Sequence, residues 1–325
     1  MNQKQPLRVG LVGTGFVAAR RTEALLADDR TELIAVAGRD RARTEVFCQR
    51  YGCTVCEAWD ELVKEPSLDL VIISSINRDR AAMVRAALEA GKHVITEYPL
   101  ALDPEEAENL IEFAKVRGLL LHVEHIELLG GLHLAIRRSL PEIGNVFYAR
   151  YVTISPQRPV ERRWSYHREL AGFPLVAALS RIHRFTDLFG EVETVDCKSR
   201  FWDAEDNYYT ACLCAARLQF RNGLMAEVTY GKGEVFWKGE RTFELHGDRG
   251  TLVFEGDAGW LVRGEEKTAI EVGGRRGLFA KDTRSAIDFL VEGTPLYVSP
   301  EASLYALQIA DAARADSNFP AAIAR

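Results

Sequence analysis

Gly13, Gly15 and Ala18 stand at the spacing GxGxxA within Gly10-Leu11-Val12-Gly13-Thr14-Gly15-Phe16-Val17-Ala18. The first glycine permits a tight turn, the second lets backbone approach a phosphate, and the small third residue lets a helix pack closely on its strand. Backbone N–H groups of Thr14, Gly15, Phe16 and Val17 would then face an anion at a helix N-terminus. An apolar run precedes the pattern and a helical run follows it, the context in which it holds a dinucleotide pyrophosphate. The next apolar run ends Val36-Ala37-Gly38-Arg39-Asp40. A small residue at Gly38 followed by Arg39 suits a ribose 2′-phosphate, because a guanidinium pairs bidentately with phosphate. NADPH is therefore the expected cofactor, with NADH used more weakly; the alternative has Asp40 reaching the ribose and Arg39 at the surface. Ser75 and Asn77, beyond a third apolar run, could line the nicotinamide ribose or cap the following helix.

Glu97-Tyr98-Pro99 closes a fourth apolar run. Glu97 could order the cofactor ribose. The phenol of Tyr98, with a reference pKa of about 10, could donate a hydrogen bond or simply pack its ring. Arginines are dense at Arg158, Arg162, Arg163 and Arg168, and again at Arg181 and Arg184. They suit either an anionic small molecule or a solvated helix face. Arg184 reads as an anion anchor or as the partner of Asp187 or Glu191. His122, His125 and His183 are ligand types, but no third ligand completes a set, so no metal is expected. Cys53-Thr54-Val55-Cys56 lacks a second CxxC, and the six cysteines are read as reduced structural thiols.

The elements that must position these residues alternate through the first third of the chain. Apolar runs at 7–13, 31–37, 70–73, 93–96 and 119–123 are separated by helical stretches at 16–26, 41–50, 78–90 and 104–117. That rhythm predicts a doubly wound parallel sheet. Beyond residue 125 alternating segments at 146–154, 192–202, 208–220, 225–231, 241–246 and 250–255 predict a large, mostly antiparallel sheet with helices near 128–139, 173–188 and 304–313. The expected division is a dinucleotide-binding domain over 1–124 and an α+β substrate-binding domain over 125–325. The 325 residues are 47% hydrophobic and 27% charged with a net charge of −6, an ordinary globular balance that disfavours nucleic acid. No apolar stretch reaches membrane-spanning length and the N-terminus has no signal-peptide core. A cytoplasmic location is expected, and oligomeric state is not legible.

Gly13-x-Gly15, the Asn77 loop and Glu97-Tyr98-Pro99 resemble the Gfo/Idh/MocA oxidoreductases over nearly the whole chain. Sugar-oxidising members carry Glu-Lys-Pro and an Asp-x-x-x-His pair, where this chain has Tyr98, Ser180 and Arg184. Those departures, with residues 97–102, 122–131, 173–181, 230–236 and 245–252, resemble the cyanobacterial-type biliverdin reductases within that family. The resemblance implies hydride delivery from NADPH to the central methine carbon of a linear tetrapyrrole, with a proton to a pyrrole nitrogen. It places Arg181 first at the reacting pyrroles, with Tyr98 and Glu97 as further catalytic residues. Tyr98, His125, Arg181 and Arg184 are then the substrate-binding set.

Overall fold

The computed structural model describes residues 5–203 and 206–316, which form two compact units. The first begins with β1 (Leu7–Val12), α1 (Phe16–Leu26), β2 (Thr31–Ala37), α2 (Arg41–Tyr51), β3 (Thr54–Cys56) and α3 (Trp59–Leu62). It continues with β4 (Leu70–Ile73), α4 (Asn77–Glu89), β5 (His93–Thr96), α5 (Pro104–Val116) and β6 (Leu121–Val123). All pairings are parallel, in the order β3-β2-β1-β4-β5-β6. The winding direction reverses at β1, so the carboxyl ends of β1 and β4 form the switch point at which such sheets bind ligands. Central strands are buried on both faces, which is why β4 reads Leu-Val-Ile-Ile without alternation.

Local chemistry sets the helix ends. Asp40 caps α2 by accepting from the Arg43 N–H at 2.9 Å, and Gly52, at φ 74°, ends it. Asp103 and Pro104 start α5 in the same manner, with Glu105 and Glu106 in its first turn.

The second unit holds α6 (Gly131–Ile143), β7 (Val146–Pro156), α7 (Arg168–Ala171), α8 (Pro174–Ala177) and α9 (Ser180–Phe189). There follow β8 (Val192–Asp203), β9 (Tyr209–Phe220), β10 (Met225–Gly233), β11 (Glu240–Gly247), β12 (Gly250–Glu255), β13 (Ala258–Arg263) and β14 (Glu266–Ile270). Their eight-stranded sheet runs β14-β13-β12-β11-β7-β10-β9-β8, antiparallel throughout except where β10 lies parallel to β7. The pair Asn222-Gly223 turns β9 into β10, with Gly223 at φ 89°. Two further helices, α10 (Leu278–Glu292) and α11 (Pro300–Ala315), end the described chain.

The compact units differ from a division at 124/125 in one respect. Gly277–Leu304 belongs with the first unit, where Ala286 and Ile287 of α10 enter the core of Val9, Leu11, Ala18 and Leu25. Other departures are local. The helix expected over 173–188 is broken: Ala178, at φ −113° and ψ 32°, leaves helical geometry between α8 and α9. That break makes Ser180 and Arg181 the opening residues of α9. The arginine-rich stretch 158–168 is not a helix face but an irregular segment with a 3-10 turn at Trp164–Tyr166. No helix among the described residues is long and apolar enough to cross a membrane.

His183 on α9 is 2% exposed, and burial pushes its pKa from the ordinary 6.5 down to about 4 against the opposing pull of Asp187. A base whose folded pKa lies below its unfolded one takes up its proton preferentially on unfolding. Stability is therefore whole above pH 6.5 and declines as pH falls toward 4. Urea unfolding at pH 7 and pH 4 should show His183→Gln losing less stability than the parent, by about 3 kcal/mol. Equal losses would show that His183 does not couple folding to acid.

Candidate active site

At the end of β1 the chain turns through Gly13, whose φ of 115° favours glycine, and a Cβ there would fall 2.5 Å from the Ser74 carbonyl oxygen. Gly15 is different. Its backbone is extended (φ −83°, ψ −171°), it is the cap position of α1, and no side chain covers the first-turn amides. A Cβ at Gly15 would meet nothing within 4 Å. Those open amides border a concavity of about 490 Å³ lined by Thr14, Gly15, Phe16, Arg43, Arg50 and Tyr51. An uncapped helix N-terminus beside two guanidiniums is what a dinucleotide phosphate requires. Beside Gly13, the Ser74 hydroxyl is buried without a partner among the described residues, and it also suits a polar ligand.

Gly38 at the tip of β2 is fixed by packing, since a Cβ would lie 2.3 Å from Thr44 Oγ1 and 3.0 Å from Thr14 Cγ2. Arg39 is exposed and forms no ion pair among the described residues. The Asp40 carboxylate is engaged as the cap of α2, and Arg43, three residues further on, lines the concavity. Phe16 is 72% exposed and Val17 half-buried. The Ser75 carbonyl accepts from Arg80 at 2.7 Å, and Asn77 is the buried first residue of α4, not its cap, which is Ile76.

Glu97 and Tyr98 follow β5 and are held by a buried network. Arg21 of α1, wholly buried, donates to Glu97 Oε1 at 2.7 Å, Asp282 Oδ2 at 2.6 Å and Thr283 Oγ1 at 3.0 Å. Asp282 Oδ1 accepts from Tyr297 Oη at 2.6 Å and lies 2.7 Å from His122 Nε2. Tyr297 Oη in turn accepts the His125 N–H at 2.9 Å, and His125 Nε2 lies 2.8 Å from Ser303 Oγ. The Tyr98 ring stacks on His125 with centroids 5.1 Å apart and planes 11° from parallel. Arg80 ties the loop to β4 through the Pro99 and Ser75 carbonyls, at 2.6 and 2.7 Å, and burial pushes its pKa down to about 10.

Burial would raise the Asp282 carboxyl, but Arg21 and His122 hold it well below the usual range. Burial, with Glu97 and Asp282 nearby, drives the Glu124 carboxyl well above that range. Arg21 and Asp282 are missed by reading motifs, yet the sequence carries a signal. Arg21 falls on the buried stripe of Ala18, Thr22 and Leu25, and Asp282 on that of Leu278, Ala286 and Ile287. A charge on an apolar stripe needs a buried partner.

In the second unit Arg181 donates to Ser180 Oγ at 2.9 Å and to Thr153 Oγ1 at 3.4 Å, with its guanidinium 5.5 Å from the Tyr230 ring centre. Arg184, 1% exposed, donates to Glu127 Oε2 at 3.1 Å and lies over Tyr151; its Nε and second terminal nitrogen have no partner among the described residues. Pairing of Arg184 with Asp187 or Glu191 is not found. Asp187 is taken by His133 and Arg137 of α6, each at 2.8 Å, and Glu191 by Arg221 at 2.9 Å. Glu127 also pairs with Arg275, and although burial would raise its carboxyl, Arg184, Arg275 and Arg181 together pull it down. One carboxylate thus faces three guanidiniums, leaving positive charge for an anionic ligand. No group of three His, Cys, Asp or Glu side chains among the described residues could hold a metal ion.

Gly15→Ala separates the fold from the cofactor cradle. The open space at Gly15 and its ordinary φ predict unchanged or slightly raised stability, up to ~1 kcal/mol. The added methyl would occupy the phosphate approach, so NADPH affinity should drop about tenfold or more, about 1.4 kcal/mol. Thermal unfolding and a fluorescence titration with NADPH check both; undiminished affinity would show that the dinucleotide lies elsewhere.

Comparison with known proteins places this geometry. Residues 7–125 match the family model for the NAD-binding Rossmann fold of the Gfo/Idh/MocA oxidoreductases, and residues 140–318 match its C-terminal alpha/beta domain. A biliverdin reductase from Synechocystis sp. PCC 6803, solved with biliverdin and NADP+, is 53% identical over 97% of this chain and 100% of its own, with a TM-score of 0.95. A dTDP-3,4-didehydro-2,6-dideoxy-alpha-D-glucose 3-reductase from Saccharopolyspora spinosa is 29% identical over 82% of each chain. Biliverdin reductase A of Mus musculus is 30% identical over 42% of this chain and 43% of its own. With both halves matched, the chain belongs to the Gfo/Idh/MocA family and is an NAD(P)-dependent oxidoreductase.

Proposed function

We propose that the protein reduces biliverdin to bilirubin with NADPH, adding a hydride to the central methine carbon and a proton to a neighbouring pyrrole nitrogen. The observation that carries this reading is the 53% identity, over 97% of the chain, to the Synechocystis enzyme solved with biliverdin and NADP+. The side chains agree with it. Sugar oxidation needs a base of near-neutral pKa, and this chain has Tyr98, Ser180 and Arg184 where the sugar-oxidising members keep lysine, aspartate and histidine.

When bound, the dihydronicotinamide supplies the hydride. Thr14 to Val17 hold the pyrophosphate with backbone amides, Gly15 gives room, Gly13 and Gly38 shape the adjoining turns, and Ser75, Asn77 and Glu97 line the nicotinamide ribose. Arg39 and Arg43 take the 2′-phosphate. Tyr98 and His125 present aromatic surface to the pigment. Arg181 donates hydrogen bonds to a pyrrole nitrogen and polarises it; a guanidinium rarely gives up its proton, so the proton comes from water, directly or relayed through Arg181. Arg184, Arg181 and Arg275 exceed the one carboxylate of Glu127, and the surplus charge suits a propionate.

Mixing protein, NADPH and biliverdin should give loss of the red absorption band and growth of the bilirubin band. Arg181→Ala should cut kcat about 100-fold with NADPH affinity kept, because a donor aimed at developing charge is removed. Absence of any turnover by folded wild type at several pH values overturns the reaction; an unchanged Arg181→Ala rate overturns the role of that residue. A separate expectation concerns the coenzyme. Arg39→Ala/Arg43→Ala should raise KM for NADPH about 10- to 100-fold and leave KM for NADH nearly unchanged, since only charge-assisted bonds to the 2′-phosphate are lost. Parallel shifts for both coenzymes would place the 2′-phosphate elsewhere.

A further inference from the structure

We propose that Asp282 is a positioning residue of the reductive site, one buried carboxylate that sets the place of both Glu97 and Tyr98. The inference rests on the reading of those two residues as facing cofactor and pigment. The two oxygens of Asp282 are spent on different partners, with His122 Nε2 also 2.7 Å from Oδ1. Asp282 uses both, in two separate arms. Through Oδ2 it holds Arg21 at 2.6 Å, and Arg21 holds Glu97 at 2.7 Å. Through Oδ1 it accepts from Tyr297 at 2.6 Å, and Tyr297 accepts the His125 amide at 2.9 Å. His125 is the residue on which the Tyr98 ring is stacked, and its far ring nitrogen is clamped by Ser303 at 2.8 Å.

Glu97 and Tyr98 are neighbours in the chain, yet they are reached from different directions, and both routes end on the same side chain. Each route is buried: Arg21, Asp282 and His125 all have no exposed surface. Charge-assisted bonds in such a place are short, directional and little relaxed by water. Asp282 lies on α10, which the chain supplies from more than halfway along its length, so the placement is made by tertiary structure and not by the loop after β5. Misplacement of a reacting group by about 1 Å can cost on the order of 100-fold in rate. A device that fixes two adjacent residues at once therefore has a direct kinetic value.

The full-length variants Asp282→Asn and Tyr297→Phe test this with two readouts. The first needs no cofactor. With 13C-labelled histidine, the ring protons of His125 lie over the Tyr98 face and are shifted upfield in the NMR spectrum, with Tyr98→Leu giving the unstacked value. Both variants should move these signals toward the Tyr98→Leu position. The second readout is turnover. In both variants kcat should fall, by about 10- to 100-fold for Asp282→Asn, which also releases Glu97 and so weakens NADPH binding, whereas Tyr297→Phe, which spares the Arg21 arm, should change the NADPH dissociation constant less than about twofold. A role confined to stability would lower the melting temperature and leave both readouts of the folded protein in place.

Wild-type histidine shifts together with wild-type kcat in the folded variants overturn the proposal, and so does a shift change without a fall in kcat. Where Asp282→Asn does not fold, Tyr297→Phe decides by the same criteria, because it leaves the Arg21–Asp282 pair intact. Should wild type fail to reduce biliverdin, the function proposed above falls, and the histidine signals alone decide the placement of Tyr98.

Discussion

Arg21 is the interaction on which the first unit depends. Its guanidinium is fully buried and bonded to two carboxylates, Glu97 after β5 and Asp282 on α10, so that helix α1, the loop after β5 and a late helix are tied at one point. Burying these charges is costly, and well-packed apolar side chains would often be as stable. Arg21 binds both Glu97 and Asp282, while burial and these neighbouring anions push the Glu124 carboxyl toward its neutral form. A buried pair retained at such cost has its use in specificity, since only one placement of Glu97 satisfies Arg21. The same helix α1 opens with the glycine turn, so the cradle for phosphate and the anchor for Glu97 stand on one rigid element.

The second unit solves a different problem, which is to keep guanidiniums in place without cancelling them. The break at Ala178 starts a new helix at Ser180, and Arg181 in its first turn donates to the Ser180 and Thr153 hydroxyls. Arg184, one turn further on, is buried against the Tyr151 ring and shares Glu127 with Arg275. Asp187 would quench it, but α6 draws that carboxylate away with His133 and Arg137. The strands contribute aromatic rings through Tyr151 of β7, which pairs with Val228, and Tyr230 of β10, which pairs with Thr153 two residues further along the same parallel pair.

Much of the first unit was legible because its signals are local. Continuous apolar runs marked the buried strands, and the spacing at Gly13, Gly15 and Ala18 marked the turn between β1 and α1. What was not legible depends on contacts between distant residues. Helix α10 follows a glycine- and charge-rich segment, Gly256 to Gly277, whose short exposed strands β13 and β14 lack clear alternation, and so the helix and its Asp282 passed unread. The break within residues 173–188 left no mark because Ala178 is a good helix former, and the backbone turns there by tertiary demand. Arg184 posed the opposite difficulty. Its sequence neighbours suggested Asp187, while the residue that binds it, Glu127, lies 57 positions away.

Three positions differ in chemical kind from those of the sugar-oxidising members: Tyr98 stands for lysine, and Ser180 and Arg184 for the Asp/His pair. A lysine beside an Asp/His pair can accept a proton from a hydroxyl, since burial brings such groups near neutral pKa. A phenol and a guanidinium are poor bases at neutral pH, where both keep their protons. What they can do is donate hydrogen bonds and offer flat polarisable surface, which favours a substrate that gains electron density as hydride arrives. In the proposed reaction biliverdin, conjugated, planar and acid-bearing, has those properties. On that proposal the change from base to donor turns these positions from removing protons to stabilising incoming charge, with the buried Arg21–Asp282 pair fixing Glu97 directly beside Tyr98.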